Sequence, residues 1–404
     1  MGLYTMIALN RCMSVLYAIG FLKNMLFILP VLMLYYGYKG VTIGDFFLIQ
    51  GLSQIVVFAF EIPTGYIADV FSRKKTIICG FLIWIVGYLF WVLGNGFSYM
   101  LTGELFFGFA ISLLSGTTEA YLYDLLKKRN KQGSFHKKMG KYSMMQDIGL
   151  LVATISGAVI YKVYGGDFTV CLCVATMVIA VILMCFMPDV EEDKRVVSNG
   201  KSKMKDILEI SVKTIKNFEI RWLMIFSSIY GTLTLVLMWG LQAVMINRDV
   251  PVYLFGVILA VNAFGRALWG GASGKLFDKL GLNKILNVLI VIVSIAMFSA
   301  ISSIYVPYVL VYVCLALMIM GSGSVVPARI VSTTLINHQT KSDERATVLS
   351  VKSMIEKIGT AFGMIALKPL FDNLGVGETF MITAILIIPI VLSANILKTF
   401  GCKK

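Results

Sequence analysis

The sequence predicts an all-α membrane protein in which twelve transmembrane helices form two six-helix parallel repeats. Three observations lead to this prediction: the apolar composition, the recurrence of long apolar runs, and a charged motif that returns half a chain later. Of the 404 residues, 58% are hydrophobic and only 14% are charged. Soluble domains carry roughly 45–50% apolar and about 25% charged residues, so a bilayer is the solvent that suits this chain.

Twelve apolar runs are long enough to cross a bilayer, because ~20 apolar residues span its hydrocarbon core. We predict the spans at 12–37, 42–68, 75–95, 98–122, 141–163, 167–187, 221–246, 252–273, 284–303, 305–328, 343–368 and 376–398.

A polar stretch, EEDKRVVSNGKSKMKD, follows Pro188 and separates the sixth span from the seventh. We therefore expect an N-terminal six-helix half over 1–188, a cytoplasmic linker over 189–220 and a C-terminal six-helix half over 221–404.

The distribution of positive charge predicts the orientation. With the N-terminus inside, the inner loops and both termini hold 28 Lys and Arg, the outer side holds four, and four more fall within spans. This bias follows the positive-inside rule and predicts that both termini are cytoplasmic. It also accounts for the net charge of +14 without a nucleic-acid partner. The expected partners are membrane lipid, a small-molecule substrate, and protons or another coupling ion, with the protein acting as a monomer.

A charged motif interrupts the apolar sequence twice. GYIADVFSRKK covers 65–75, and GKLFDKLGLNK covers 274–284. Asp69 and Asp278 are 209 residues apart, and each follows a glycine by four positions. Transporters built from parallel repeats place the substrate near the bilayer midplane, between the halves.

The first motif, G-x-x-x-D-x-x-x-R-K, resembles the loop 2–3 signature of the major facilitator superfamily. EIPTG at 61–65 and SGTTEAYLYD at 115–124 are similar to one bacterial branch of that superfamily. The matching positions are Gly65, Asp69, Arg73 and Lys74, with Gly274 and Asp278 in the weaker second copy.

The resemblance implies a cytoplasmic gate. Gly65 is expected to let a neighbouring helix approach closely. Asp69 would face the N-terminus of span eleven, near 342–344, where a partial positive charge suits an anion. Arg73 would pair with Asp124 at the inner end of span four. The alternative is that the bases after Asp69 serve only as topology determinants.

Nine ionisable residues fall within predicted spans, where charges are costly and commonly functional. The first half is net acidic and the second net basic. They are Lys23, Glu61, Glu104, Glu119 and Asp147 in the first half, and Arg266, Lys352, Glu356 and Lys357 in the second. All except Glu104 and Lys357 are candidates for substrate or proton binding.

Several of these candidates have a structural alternative. Glu61, beside Pro63, is expected to cap broken backbone or hold the gate. Lys352 and Glu356 are four residues apart and can neutralise each other on one helix face. Glu119 is expected within about a turn of the inner end of span four, in the gate or in the cavity.

Lys23 and Asp147 lie in spans one and five, which are adjacent in the superfamily arrangement. A cross-helix pair there would suit proton coupling, because a neighbouring base changes the acid's protonation.

These features predict a secondary active transporter, coupled to protons, that works by alternating access. The sequence has no phosphate-binding G-x-x-x-x-G-K-[ST] motif and no nucleophile–base or metal-ligand pattern. We therefore expect no enzyme activity, cofactor or metal.

The predicted direction is efflux of drug-like or amphipathic compounds. Gly149 and Gly157 fit the superfamily's antiporter signature in span five, although its proline is absent. The alternative is uptake of a small charged or zwitterionic metabolite.

Overall fold

Helices account for every regular element among the described residues. The structure is a computed structural model that describes residues 2–70, 72–190, 214, 216–341 and 344–401. In lipid, a helix satisfies all its backbone hydrogen bonds internally, which is why apolar runs of this length fold this way.

Fifteen α-helices are described in chain order. Those before the polar stretch are α1 (Gly2–Lys23), α2 (Leu32–Tyr38), α3 (Ile43–Val70), α4 (Arg73–Leu93), α5 (Phe97–Leu114), α6 (Thr117–Lys127), α7 (Phe135–Tyr164) and α8 (Gly166–Cys185). Those after it are α9 (Phe218–Asn247), α10 (Val252–Ser302), α11 (Tyr308–Gly323), α12 (Val325–Gln339), α13 (Arg345–Leu374), α14 (Val376–Ala384) and α15 (Ile387–Gly401).

Ten helical stretches among the described residues are long and apolar enough to cross a membrane. Neither α1 nor α13, which cover the predicted spans one and eleven, is in that set. The first span is interrupted after Lys23, and α13 carries Lys352, Glu356 and Lys357 within its length. Both therefore combine a spanning role with polar groups.

The chain divides into two compact units. The first comprises Met1–Val41, Leu52–Val197 and Val252–Val257. The second comprises Thr42–Gly51, Ser198–Pro251 and Ile258–Lys404. Each unit therefore includes one short segment from the other half of the sequence. The start of α3 clusters with the second unit, and the start of α10 clusters with the first.

An ion cluster fastens the start of α3 within the second unit. The Lys368 ammonium contacts Asp45 of α3 and lies 2.8 Å from the Asp372 carboxylate one turn along α13. The Thr42 hydroxyl donates to Asp372 at 3.1 Å. The Phe47 and Phe371 rings stack with their centroids 4.7 Å apart, so apolar contact supports the charges.

Candidate functional site

The first predicted span is a broken helix. α1 ends at Lys23, and the backbone N–H groups of Asn24 and Met25 turn back to carbonyls at 3.2 and 3.1 Å. A short 3₁₀ turn, Leu29–Val31, precedes α2 and contains Pro30. The chain therefore leaves helical geometry part-way through the run predicted as one span.

The fourth predicted span is broken as well. α5 ends at Leu114 and α6 begins at Thr117. Between them Gly116 has a φ of 71°, in the left-handed region that glycine adopts without steric cost. α6 then continues to Lys127, so Glu119 lies in its first turn.

Two glycines of α7 hold the broken first span closely. A β-carbon at Gly149 would overlap the Phe21 carbonyl oxygen, and one at Gly157 would overlap the Phe27 carbonyl oxygen. Only glycine lets α7 approach the end of α1 and the non-helical segment this closely. The glycines that resemble part of an antiporter signature thus have a packing role on both sides of the break.

The two helix breaks line one cavity of about 360 Å³, which we call the N-terminal pocket. Every residue that lines it belongs to the first unit. Its polar wall includes Lys23, Asn24, Thr118, Glu119, Tyr142 and Gln146.

Apolar side chains, Trp84, Ile111, Leu114 and Met139, also line the pocket. Of the charges predicted within spans, the pocket brings together Lys23 and Glu119. Asp147 follows Gln146 on α7, but its exposed side chain is not among the lining residues.

Helix ends stabilise both charges of the pocket. Lys23 is the last residue of α1, where the helix dipole favours a cation. Glu119 is in the first turn of α6, where the dipole favours an anion, and no side chain caps that N-terminus. The Glu119 charge also attracts the Lys23 ammonium. The arrangement therefore sets one positive and one negative side chain at helix ends whose dipoles favour their charges.

Two hydroxyls on the pocket wall have no hydrogen-bond partner among the described residues. They are the Thr118 Oγ1 and the Tyr142 hydroxyl, whose residues are 9% and 2% exposed. A buried polar group without a partner costs about 1–3 kcal/mol. Such a cost is offset when a ligand or water supplies the missing bond, as expected in a binding site.

On the side that the sequence predicts to be cytoplasmic, Arg73 of α4 contacts Asp124 of α6. The Arg73 guanidinium donates to the Asp124 carboxylate, and also to the Ala120 carbonyl at 2.8 Å. Lys74 donates to the Cys185 carbonyl at 2.8 Å. The start of α4 is thereby joined to α6 and to the end of α8. We call the Arg73–Asp124 contact the cytoplasmic cluster.

The other residues of the predicted gate make fewer contacts among the described residues. The Asp69 side chain and residues 342–343 lie outside the described residues. A β-carbon at Gly65 or Gly274 would meet no described atom within 4 Å, so the close helix approach expected at Gly65 is not found there. Asp278 is exposed on α10, and Gly281, with a φ of 67°, interrupts that long helix just after it.

In the second unit, Lys352 and Glu356 form a salt bridge of 2.9 Å. The Lys352 ammonium also donates to the Thr333 hydroxyl at 3.3 Å. Glu356 accepts from Ser227, whose oxygen lies 3.3 Å from that of Ser332. Lys352 is 4% exposed, and its charge is neutralised by Glu356 one turn along the same helix, as the four-residue spacing allows.

The remaining candidate charges are spread over three helices. Glu61 is half-buried in α3, and Arg266 is exposed on α10. Glu104 is buried in α5 and accepts a hydrogen bond of 3.1 Å from the Tyr36 hydroxyl. Among the described residues, no cluster of three or more His, Cys, Asp or Glu has the arrangement of a metal site.

Long apolar helices, broken spans and a charged pocket define a multi-pass membrane protein of the transporter class. The chain belongs to the Major Facilitator Superfamily, whose sequence profile matches residues 12–364. The prediction of a twelve-helix transporter fold, and of a transporter instead of an enzyme, is confirmed.

Among curated proteins, the chain is 21% identical over 360 residues to an MFS-type transporter of Methanocaldococcus jannaschii, covering 89% of this chain and 90% of the relative. It is 28% identical over 167 residues to a transporter of Buchnera aphidicola, covering 40% of each chain.

Among solved structures, the nucleoside transporter NupG has a TM-score of 0.80 at 15% identity, covering 96% of this chain and 98% of that one. A POT family transporter in complex with 5-aminolevulinic acid has a TM-score of 0.74 at 12% identity, with coverage of 97% and 96%. At these identities the likeness establishes the fold alone.

Proposed function

We propose that the protein is a secondary active transporter that moves a small polar metabolite by alternating access, coupled to protons. The single observation that carries the proposal is the N-terminal pocket, where two broken spans present an ammonium and a carboxylate in a member of a transporter superfamily. Discontinuous spans are a recurrent way to build substrate sites within membranes, because helix ends and unwound backbone bind polar groups.

The position of α6 suggests how occupancy of the pocket would affect the cytoplasmic side. Glu119 in its first turn lines the pocket, and Asp124 lies about 7.5 Å further along the same helix. Arg73 contacts Asp124 and the carbonyl of Ala120, the residue after Glu119. A substrate that pulls on the first turn of α6 would therefore change the cytoplasmic cluster.

The Lys352–Glu356 pair is our candidate for proton coupling. Protonation of Glu356 would leave the buried Lys352 ammonium with the Thr333 hydroxyl but no carboxylate. An uncompensated buried charge is strongly destabilising, so the protonated unit would favour a conformation in which Lys352 finds another environment. Proton binding would thus shift the conformational equilibrium, which is the requirement for coupling.

The lining of the pocket favours a polar metabolite over the amphipathic drug-like cargo predicted first from the sequence. Seven polar side chains, two of them charged, line the pocket and would be desolvated against an apolar molecule at a cost. The proteins similar in fold include a nucleoside transporter and a POT family transporter in complex with 5-aminolevulinic acid. Nucleosides and 5-aminolevulinic acid are small polar compounds. We therefore propose uptake across a bacterial cytoplasmic membrane, with cytoplasmic termini set by the Lys and Arg bias.

Drug efflux stays as the second candidate because Trp84, Ile111, Leu114 and Met139 give the pocket an apolar side. An amphipathic cation could place its ring there and its charge on Glu119.

Transport by purified protein in proteoliposomes tests the proposal. Metabolite and antibiotic libraries are first screened for thermal stabilisation, since a ligand that binds the folded state raises its stability. The hits are then offered outside vesicles with an alkaline interior. Accumulation of a polar metabolite that collapses when the pH gradient is dissipated supports proton-coupled uptake. Accumulation of antibiotics alone, driven by the opposite gradient, would support efflux.

A further inference from the structure

We infer that the cargo is a zwitterion, with its carboxylate on Lys23 and its ammonium on Glu119, so that both charges are recognised within the N-terminal pocket. This inference rests on the proposed function and names its substrate class as amino acids or small peptides.

The two pocket charges stand at the helix ends that stabilise them. Lys23 is the last residue of α1 and Glu119 lies in the first turn of α6, so the helix dipoles favour both charges without a full salt bridge between them. Both side chains line the same pocket. A molecule with an anion at one end and a cation at the other would complement both, and neither a simple amine nor a simple acid would.

Neutral groups of the pocket complete the hydrogen bonds that such a molecule needs. The Thr118 and Tyr142 hydroxyls are buried without partners among the described residues, and both line the pocket. These unpartnered groups are independent of the two charges and indicate that a polar ligand completes the site.

The size of the pocket limits the cargo. Ligand cavities in proteins are commonly ~300–1,000 Å³, and this one, at about 360 Å³, is near the lower limit. An amino acid or a short peptide suits that volume.

The basic residues of the second unit do not supply an equivalent anion site. Lys352 is buried and engaged by Glu356 and the Thr333 hydroxyl. An anion on Lys352 would have to displace that carboxylate. Lys23 has no such partner among the described side chains, which is why we assign the carboxylate of the cargo to it.

Three sets of probes test the inference on the full-length protein. They are the proteinogenic L-amino acids with small dipeptides, the amines made from them by removing the carboxylate, and the acids made by removing the amine. Affinities are measured for wild type, Lys23→Gln, Glu119→Gln and the control Lys137→Gln. Lys137 is an exposed base on α7 that does not line the pocket.

We expect Lys23→Gln to lose about tenfold or more in affinity for the zwitterion that wild type binds, and to leave the matching amine unchanged. Glu119→Gln should lose a similar factor for the zwitterion and leave the matching acid unchanged. Lys137→Gln should behave as wild type. Equal losses for zwitterion, amine and acid in either pocket variant would overturn the inference, as would no loss in both.

Tyr142→Phe keeps the test decisive if the charge variants do not fold. It removes a hydroxyl that no described residue hydrogen-bonds, so the ligand-free protein should be as stable as wild type while zwitterion affinity falls several-fold. An unchanged affinity would place the ligand elsewhere. If wild type transports another solute and no zwitterion binds, the zwitterion inference falls and the proposed transporter function stands. If no solute is transported, the proposed function falls with it.

Discussion

Arg73 at the start of α4 donates hydrogen bonds to Asp124 and to the carbonyl of Ala120, both on α6. Asp124 is 3% exposed, and its second carboxylate oxygen has no partner among the described residues. The contact therefore depends on one charged pair that is largely withdrawn from solvent. It links the signature motif after span two to the helix that carries Glu119.

Asp124→Asn tests this link. Removing the carboxylate charge takes away the ion pair between Arg73 and Asp124, and we expect a loss of about 2–3 kcal/mol in the free energy of unfolding. Transport should slow while substrate affinity changes little, because Asp124 does not line the pocket. Thermal unfolding and labelling of single cysteines on each side of the membrane report the two effects.

Lys75→Gln is the matched control, because Lys75 is an exposed base two residues after Arg73. It should leave both stability and accessibility as in wild type. If Asp124→Asn behaves like Lys75→Gln, the bases serve only to orient the protein in the membrane.

A second prediction concerns the glycines of α7. Gly157→Ala should lower the free energy of unfolding by about 1–3 kcal/mol, because its methyl group would overlap the Phe27 carbonyl. Gly140→Ala on the same helix should raise it by up to ~1 kcal/mol, since alanine is the better helix former and no described atom lies within 4 Å. Thermal unfolding of both variants measures whether their stabilities change in these opposite directions. Equal effects would mean that the close approach to the broken span is not needed.

Some features of the fold and of the pocket could be predicted from the sequence alone. Apolar runs predicted the helical fold correctly, because the bilayer leaves helices as the solution for such segments. Lys23 and Glu119 could be selected because charges within spans are costly. Ser115 and Gly116 are a local signal at the break in the fourth span, although we predicted that span as continuous over 98–122. Each of these inferences needs only local sequence.

The break after Lys23 could not be predicted in the same way. The run over 12–37 is apolar throughout, and only Asn24 and Pro30 hint at an interruption. What holds the non-helical segment is α7, through Gly149 and Gly157, more than a hundred residues away in sequence. A single sequence does not reveal which backbone those glycines accommodate, so the pocket as a unit was missed.

A third prediction concerns the buried carboxylate of Glu104 in α5. The Tyr36 hydroxyl donates to Glu104 at 3.1 Å, and both residues are buried. Tyr36→Phe should cost about 1.5–3 kcal/mol of unfolding free energy, because a hydrogen bond to a charged group is lost. Tyr38 is 65% exposed, so Tyr38→Phe should stay within about 0.5 kcal/mol of wild type. Similar melting temperatures for the two variants would contradict this assignment.

The last prediction separates two candidates for the proton carrier, Glu356 and Asp147. Glu356→Gln should abolish accumulation driven by a pH gradient, because the neutral side chain can no longer switch its interaction with Lys352. Exchange of substrate down its own gradient should persist, since that cycle needs no net proton movement. Asp147 is exposed and does not line the pocket, so Asp147→Asn should keep gradient-driven accumulation. Lys352→Met combined with Glu356→Gln removes the unpaired ammonium and should recover the stability that Glu356→Gln alone loses. The opposite pattern, with accumulation lost only in Asp147→Asn, would assign the proton to Asp147 and leave the Lys352–Glu356 pair as a structural contact.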